Sequence, residues 1–217
     1  MLVIGVGGQA QHGKDSLADY LYEKINLYKG VSWQRVAFAY GVKNIFSDAF
    51  GVSREFIEEW KANPETPPGF DMNVRKGLQF IGDGFRTIRS SVWVDQPFKT
   101  SDPKIISDVR YPNEWQRVYE EGGLNILVGR KQKLNNDPNG SEALIRPYVE
   151  WALSFDDDEE VNLQLQSSRE LNQKIKGAPD DMNLFHLFVS NNKGLEEFYS
   201  KIDRVVIPFV NNFKFGE

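Results

Sequence analysis

The chain has 217 residues, 40% hydrophobic and 26% charged, which suits one α/β domain with a sizeable core and excludes a disordered or low-complexity chain. Its formal net charge of −5 argues against a general nucleic-acid binder, which more often carries a basic face. The absence of cysteine excludes disulfides, thiolate zinc sites and cysteine nucleophiles, and no stretch approaches the roughly 18 apolar residues of a membrane span.

In chain order, Leu2–Val6 is short, apolar and β-branched and reads as a buried strand. It has no basic flank, and glycines break it almost at once, so it is not a signal peptide, and a soluble, cytoplasmic protein is expected. Lys14–Tyr28 places Leu17, Ala18, Leu21, Ile25 and Leu27 at helical spacing. Trp33–Ala39 alternates as a second strand, and Val42–Phe50 and Arg54–Lys61 read as helices. Residues 61–71 are a proline-rich loop. Asn73–Ser91 has helical spacing weakened by Gly82 and Gly84. Lys104–Val109 is a buried strand, and Tyr111–Glu121 a helix stopped by Gly122-Gly123. Leu124–Val128 is the next strand. A polar loop (131–142) and an acidic run (156–160) follow, the latter expected to be solvated surface. Asn183–Val189 closes the strand set and Leu195–Phe209 the helices. Strands alternating with helices predict a parallel sheet.

The first strand leads into Gly8-Gln9-Ala10-Gln11-His12-Gly13-Lys14-Asp15-Ser16 and then a helix. Glycines let backbone N–H groups approach phosphate oxygens, the helix N-terminus favours an anion, and Lys14 can reach the β- and γ-phosphates. Asp15 stands where the Walker pattern has Ser or Thr, and the hydroxyl arrives one place later at Ser16. Asp15 could take Mg²⁺ directly or through water, or Ser16 could serve a phosphate instead. His12 is expected to meet phosphate or solvent, and His186 to be structural. Gly5-Val6-Gly7-Gly8-Gln9-Ala10 also fits the dinucleotide fingerprint, but Trp33–Ala39 ends without the acid that would hold a ribose. Asn192-Lys193 lacks the aspartate of a guanine reader.

Asp108 ends a buried strand, where parallel sheets carry their ligands. If that strand neighbours the first, Asp108 faces the loop and could hold Mg²⁺; otherwise it caps the following helix. Arg110 points a bidentate donor at the same crevice, and Arg130, closing the next strand, either covers a phosphoryl group whose charge is spread over its oxygens or simply faces solvent. Arg75, Gln79, Asp83, Arg86 and Arg89 recur at roughly helical spacing, as a phosphorylated, aromatic-based acceptor would require, or as a solvated helix face. Phe80, Phe85 and Trp93 read as core.

As a set, these residues resemble the deoxynucleoside monophosphate kinases of tailed bacteriophages and their relatives among P-loop nucleoside monophosphate kinases. The resemblance rests on the loop with its Asp15, FAYGVK (38–43), RKGLQFIGDGFR (75–86), ISDVRYPNE (106–114), GGLNILVGR (122–130), Ser141-Glu142 and FVSN (188–191). The loop before Ser141 has Asp137-Pro-Asn-Gly where the family pattern has a histidine.

The resemblance implies one P-loop kinase domain, a parallel sheet flanked by helices, with an acceptor-binding insertion near 41–100 and a lid near 131–182. It implies ATP on Gly8–Ser16, with metal candidates Asp15, Ser16 and Asp108. The acceptor would lie near Lys43, Arg75, Gln79, Asp83, Arg86, Trp93 and Glu142. The partners expected are small nucleotides and, in a homodimer, a second copy of the chain, with no nucleic acid and no membrane. The acceptor phosphate, with a second pKa of about 6, is already mostly ionised at pH 7 and needs no strong base. Lys14, Asp108, Arg110 and Arg130 would then act by position and charge. Two other readings stay open. One is a kinase for a non-nucleotide phosphate, since the Gly-Lys-Asp variation also resembles animal-type phosphomevalonate kinases. The other is a nucleotide-binding module without transfer.

Overall fold

A computed structural model describes residues 1–28, 31–134, 140–155 and 158–216. Its elements, in chain order, are β1 (Val3–Gly7), α1 (Lys14–Tyr28), β2 (Gln34–Val36), α2 (Tyr40–Phe50), α3 (Arg54–Ala62), α4 (Val74–Ile88), β3 (Lys104–Val109), α5 (Pro112–Glu120), β4 (Leu124–Gly129), α6 (Ser141–Leu153), α7 (Asp158–Glu170), β5 (Leu187–Ser190), α8 (Leu195–Lys201) and α9 (Ile207–Asn212).

The five strands form one parallel sheet in the order β2-β3-β1-β4-β5, giving the P-loop NTPase fold. β1 is buried at every residue, as a central strand covered on both faces must be. Ile4 and Val6 pack with Leu17, Ala18, Leu21 and Phe198 on one side. On the other side Trp115 of α5 lies 5.0 Å from Tyr148 of α6 and 5.4 Å from Phe185, ring centre to ring centre. The chain leaves β1 towards β2 and later crosses to β4. The carboxyl end of β1 therefore lies at a switch point, where open α/β sheets bind ligands.

The chain divides into two compact units, 1–36 with 101–217 and 37–100. The second unit is helical, with Phe46, Ile57 and Val74 buried and Phe56, Trp60, Phe70, Leu78 and Ile81 packed around them. α4 runs unbroken through both of its suspect glycines. Trp93 Nε1 donates to the Gly82 carbonyl at 2.9 Å, and Gly41 leaves room for the indole. Trp93 is only 2% exposed, a core residue as its sequence reading has it, and it packs under α4 rather than presenting its ring to the acceptor as the resemblance implies. Phe80 departs from its core reading. It is 75% exposed, on the outer face of α4 rather than in a core. Phe85 is half-exposed, 5.4 Å from the Trp93 ring.

Three further differences have physical causes. β2 keeps only three of its seven expected residues, because it is an edge strand paired to β3 alone and Tyr40 already turns into α2. Two helices, α6 and α7, occupy most of 141–170, where only a polar loop and an acidic run were read. Their apolar residues Ile145, Val149, Val161 and Leu165 are fully buried. Of the acidic run, Asp156 and Asp157 lie outside the described residues. Glu159 and Glu160 are exposed as expected, but Asp158 is paired with Lys201 at 2.7 Å. The closing helix is interrupted by a π-turn at Ile202–Val206, where Ile207 N–H bonds back to Ile202. Pro208 has no N–H for the Arg204 carbonyl, so the regular ladder cannot continue. Among the described residues, no helix is long and apolar enough to cross a membrane.

Candidate active site

The loop after β1 is shaped by backbone that side chains resist. Gly8 has φ 151° and a Cβ there would meet the Val128 carbonyl at 2.6 Å; Gly13 has φ 104° and would meet Asn191 Nδ2 at 2.6 Å. Between them Gln11 also takes a positive φ, 63°, so the segment curls back before α1 begins. The loop is braced from several sides. Asn191, just past β5, donates to the His12 carbonyl at 3.0 Å, and its own N–H donates to Gly129 at 2.8 Å. The Leu17 N–H donates to Gly13 at 2.9 Å and starts the helix.

His12 is fully buried, which corrects the expectation that it meets phosphate or solvent. Its Nδ1 lies 3.3 Å from the Val128 carbonyl and its Nε2 3.1 Å from the Lys133 carbonyl. Both partners are acceptors, and a neutral imidazole has one N–H, so it satisfies one of them at a time. Burial lowers its pKa below the ordinary value; the two carbonyls and Glu142 oppose that shift, and the Lys14 charge adds to it. His12 is thus a brace between the loop, β4 and residues 131–133. His186 accepts the Asn125 N–H at its Nδ1 (3.1 Å), a structural role.

Lys14 is 5% exposed, and its ammonium donates to the Gln9 carbonyl at 3.4 Å. Its pKa is lowered by burial first and by Arg110 second, while Asp15, Glu142 and Asp108 pull the other way. That set of charges defines the site. β3 neighbours β1, with Val109 in register with Gly7, so Asp108 and Arg110 come to the loop from the adjacent strand end. The Arg110 backbone is held by Glu114, whose Oε2 accepts the N–H groups of Arg110 (2.7 Å) and Tyr111 (3.0 Å). Glu114 is the acid that caps the turn into α5. A Pro at the first helical position and an acid two places on signal that role in the sequence.

Glu142 is bonded to the phosphate loop, accepting the Ala10 N–H at 2.7 Å, and it pairs with Arg110 at 2.7 Å. Arg130 leaves the end of β4, the other neighbour of β1. The Nε atoms of Arg110 and Arg130 are buried without a hydrogen-bond partner. Asp15 is turned to solvent and tied to Arg35 of β2 at 3.0 Å, with Asp19 on the same guanidinium at 2.5 Å. Ser16 is half-buried behind it. Past β5 a cavity of about 270 Å³ opens, lined by Asp158, Ser190, Asn191, Phe198 and Lys201 among others. Its lining joins the start of α7 to the stretch 190–205, a pairing no local pattern shows.

In the 37–100 unit, Arg75, Gln79, Asp83 and Arg86 follow at steps of four, four and three along α4, one helical face. The first three are exposed, and Arg86 pairs with Asp83 at 3.2 Å. Lys43 is bonded to Glu58. Burial pushes the Glu58 carboxyl up, but Lys43, Lys61 and Arg54 outweigh it and hold it below the usual range. Arg89 pairs with Asp95 at 2.6 Å beyond the helix end.

No protein-family model matches the chain. A protein of Acanthamoeba polyphaga mimivirus described as "Putative deoxynucleotide monophosphate kinase" is 24% identical over 225 residues, covering 93% of this chain and 94% of its own. Among solved structures, the shikimate kinase of Acinetobacter baumannii in complex with shikimate is 13% identical with a TM-score of 0.43, covering 99% of this chain and 96% of its own. The shikimate kinase of Bacteroides thetaiotaomicron is 10% identical with a TM-score of 0.40, at 95% and 98% coverage. The fold assignment stands on this chain's own sheet order and loop. In sequence, the chain resembles the deoxynucleoside monophosphate kinases of the P-loop kinase group over nearly its whole length.

Proposed function

We propose that this chain transfers the γ-phosphoryl group of ATP to the phosphate of a (deoxy)nucleoside monophosphate, giving the diphosphate. The observation that carries phosphoryl transfer is the meeting of Lys14, Asp108 and Arg110 at one glycine-shaped loop on the switch point of the sheet. The acceptor class is supported by the sequence likeness to the mimivirus protein. The face of α4 fits it as well, with cationic and amide groups beside the exposed ring of Phe80, as a phosphorylated aromatic would need.

In this reading, backbone N–H groups of Gly8–Ser16 and the start of α1 hold the ATP phosphates. Lys14 stands at the β- and γ-phosphates. Arg110 and Arg130, each with a buried unpaired Nε, neutralise charge on the group in transfer. The acceptor phosphate is its own nucleophile, so the chain's task is alignment and charge. The donor set also fits Mg²⁺. Among the described residues no cluster of three or more carboxylates or histidines could cage a metal. Mg²⁺ is characteristically held by one or two carboxylates together with phosphate oxygens and water. Asp108 and Ser16 would hold it, and when bound it supplies charge neutralisation between the phosphates. Asp15, held outward by Arg35, would reach it only through water.

The test is ADP formation from ATP and Mg²⁺ with each common dNMP and NMP added singly. Base-dependent turnover is the expected result. ATP binding with no stimulation by any nucleotide would overturn the nucleotide acceptor, leaving a different phosphorylated acceptor or a module without transfer.

A further inference from the structure

Glu142 sits in the first turn of α6, and its two carboxylate oxygens serve different partners. Oε2 accepts the Ala10 N–H at 2.7 Å, and Oε1 meets Arg110 Nη1 at 2.7 Å. Its own carbonyl accepts Gln9 Nε2 at 3.1 Å, and the neighbouring Ser141 Oγ takes a second bond from Arg110 Nη1 at 3.3 Å. The carboxylate is 13% exposed and the guanidinium 28%. A pair this enclosed is screened far less than a surface ion pair. The backbone of Arg110 is fixed independently by Glu114, so only the guanidinium end depends on Glu142.

We propose that Glu142 is a positioning residue for the transfer step: by bridging the Ala10 amide to Arg110, it holds that guanidinium against the phosphate loop beside Lys14. The need is electrostatic. Lys14 and Arg110 are like charges at one loop, and Arg110 disfavours the charged form of Lys14. A carboxylate bonded to both the loop and the arginine lets the two cations stand together before any phosphate arrives. A donor already in place costs no reorganisation when charge develops. Glu142 acts through Arg110 and touches no reacting atom. This inference rests on the phosphoryl-transfer reading above, and it moves Glu142 from acceptor binding to the arrangement of the transfer machinery.

The experiment compares wild type, Glu142→Ala, Glu142→Gln, Arg110→Ala and the Glu142→Ala/Arg110→Ala double variant. It measures acceptor-dependent turnover, acceptor-free hydrolysis of MgATP and the thermal midpoint of each. Glu142→Ala should lower kcat about tenfold or more while KM for ATP stays within about threefold, the pattern of a lost transition-state interaction. Glu142→Gln, which keeps an acceptor for Ala10 but no charge for Arg110, should fall between. In the Arg110→Ala background, Glu142→Ala should cost less than about twofold further, because the group it positions is gone. A purely structural role would lower the midpoint and cost the same in both backgrounds, and that result would overturn the proposal. Unchanged kcat would overturn it too, as would tighter ATP binding with faster turnover, which would make Glu142 a competing anion. If no nucleotide stimulates the wild type, the acceptor reading fails separately. The hydrolysis series then still reads the coupling between Glu142 and Arg110.

Discussion

The phosphate loop and the outer face of α4 carry the two halves of the proposed chemistry, and they are built in opposite ways. Around the loop several polar groups are buried in its bracing: Gln9, His12, Lys14 and Asn191 are each at most 5% exposed. The loop's curvature depends on close approaches that only glycine permits at Gly8 and Gly13. On α4, Arg75, Gln79 and Asp83 stand in solvent beside a bare Phe80, and order lies beneath them, in Trp93 and the aromatic cluster of the small unit. A triphosphate is the same group in every ATP-using enzyme and rewards a rigid cradle. An acceptor varies, and an open face on a separately packed unit suits it.

The largest expected effect tests what lies under the open face. Trp93→Ala removes a buried ring and the bond to Gly82, and should destabilise the protein by about 3–5 kcal/mol. Phe80→Ser, on the same helix but exposed, should stay within about 0.5 kcal/mol. Urea unfolding of both checks the contrast. Equal losses would show that the outer face is packed after all.

At the loop, Lys14→Ala should lower kcat by about 10²-fold or more, as loss of one preorganised donor does, with the fold intact by circular dichroism. Near-wild-type turnover in that variant would remove the phosphate-cradle reading. On α4, Arg86→Ala should raise KM for the acceptor about tenfold and leave KM for ATP unchanged, the size of one charge-assisted hydrogen bond. A change in KM for ATP instead would erase the division of labour between the two regions.

How much of this was legible in the sequence follows the same division. The loop could be read because strand, glycines, lysine and helix are contiguous, and the strand ends at Asp108 and Arg110 because their apolar runs were unmistakable. Trp93 is core as its apolar surroundings suggest, whereas Phe80 is not, because composition does not reveal which side of a helix a neighbouring segment covers. α6 and α7 were missed where polar residues dilute the apolar spacing, although Val161 and Leu165 keep an i, i+4 pair. Glu142 was read as an acceptor ligand. Its bond to Ala10 joins residues 132 apart in the chain, a pairing that no local pattern encodes.

The smallest effect probes the loop's bracing through His12. Burial, with Lys14 adding to it, holds its pKa below the ordinary value of about 6.5, while the carbonyls of Lys133 and Val128 and the charge of Glu142 pull the other way. The sign follows from linkage. As pH falls through about 6.5 the unfolded chain takes up the proton first, so stability falls with pH until the folded-state value is passed. His12→Gln keeps one bond to the surrounding carbonyls and cannot titrate. Unfolding midpoints between pH 7.5 and 5.5 should therefore drop less steeply in that variant, by some fraction of one proton. The comparison between variant and wild type cancels the contribution of His186, which both retain. A steeper drop in the variant would mean that the imidazolium bridging both carbonyls is the stable form. The brace would then tighten on acidification, and burial would not be the dominant influence on this ring.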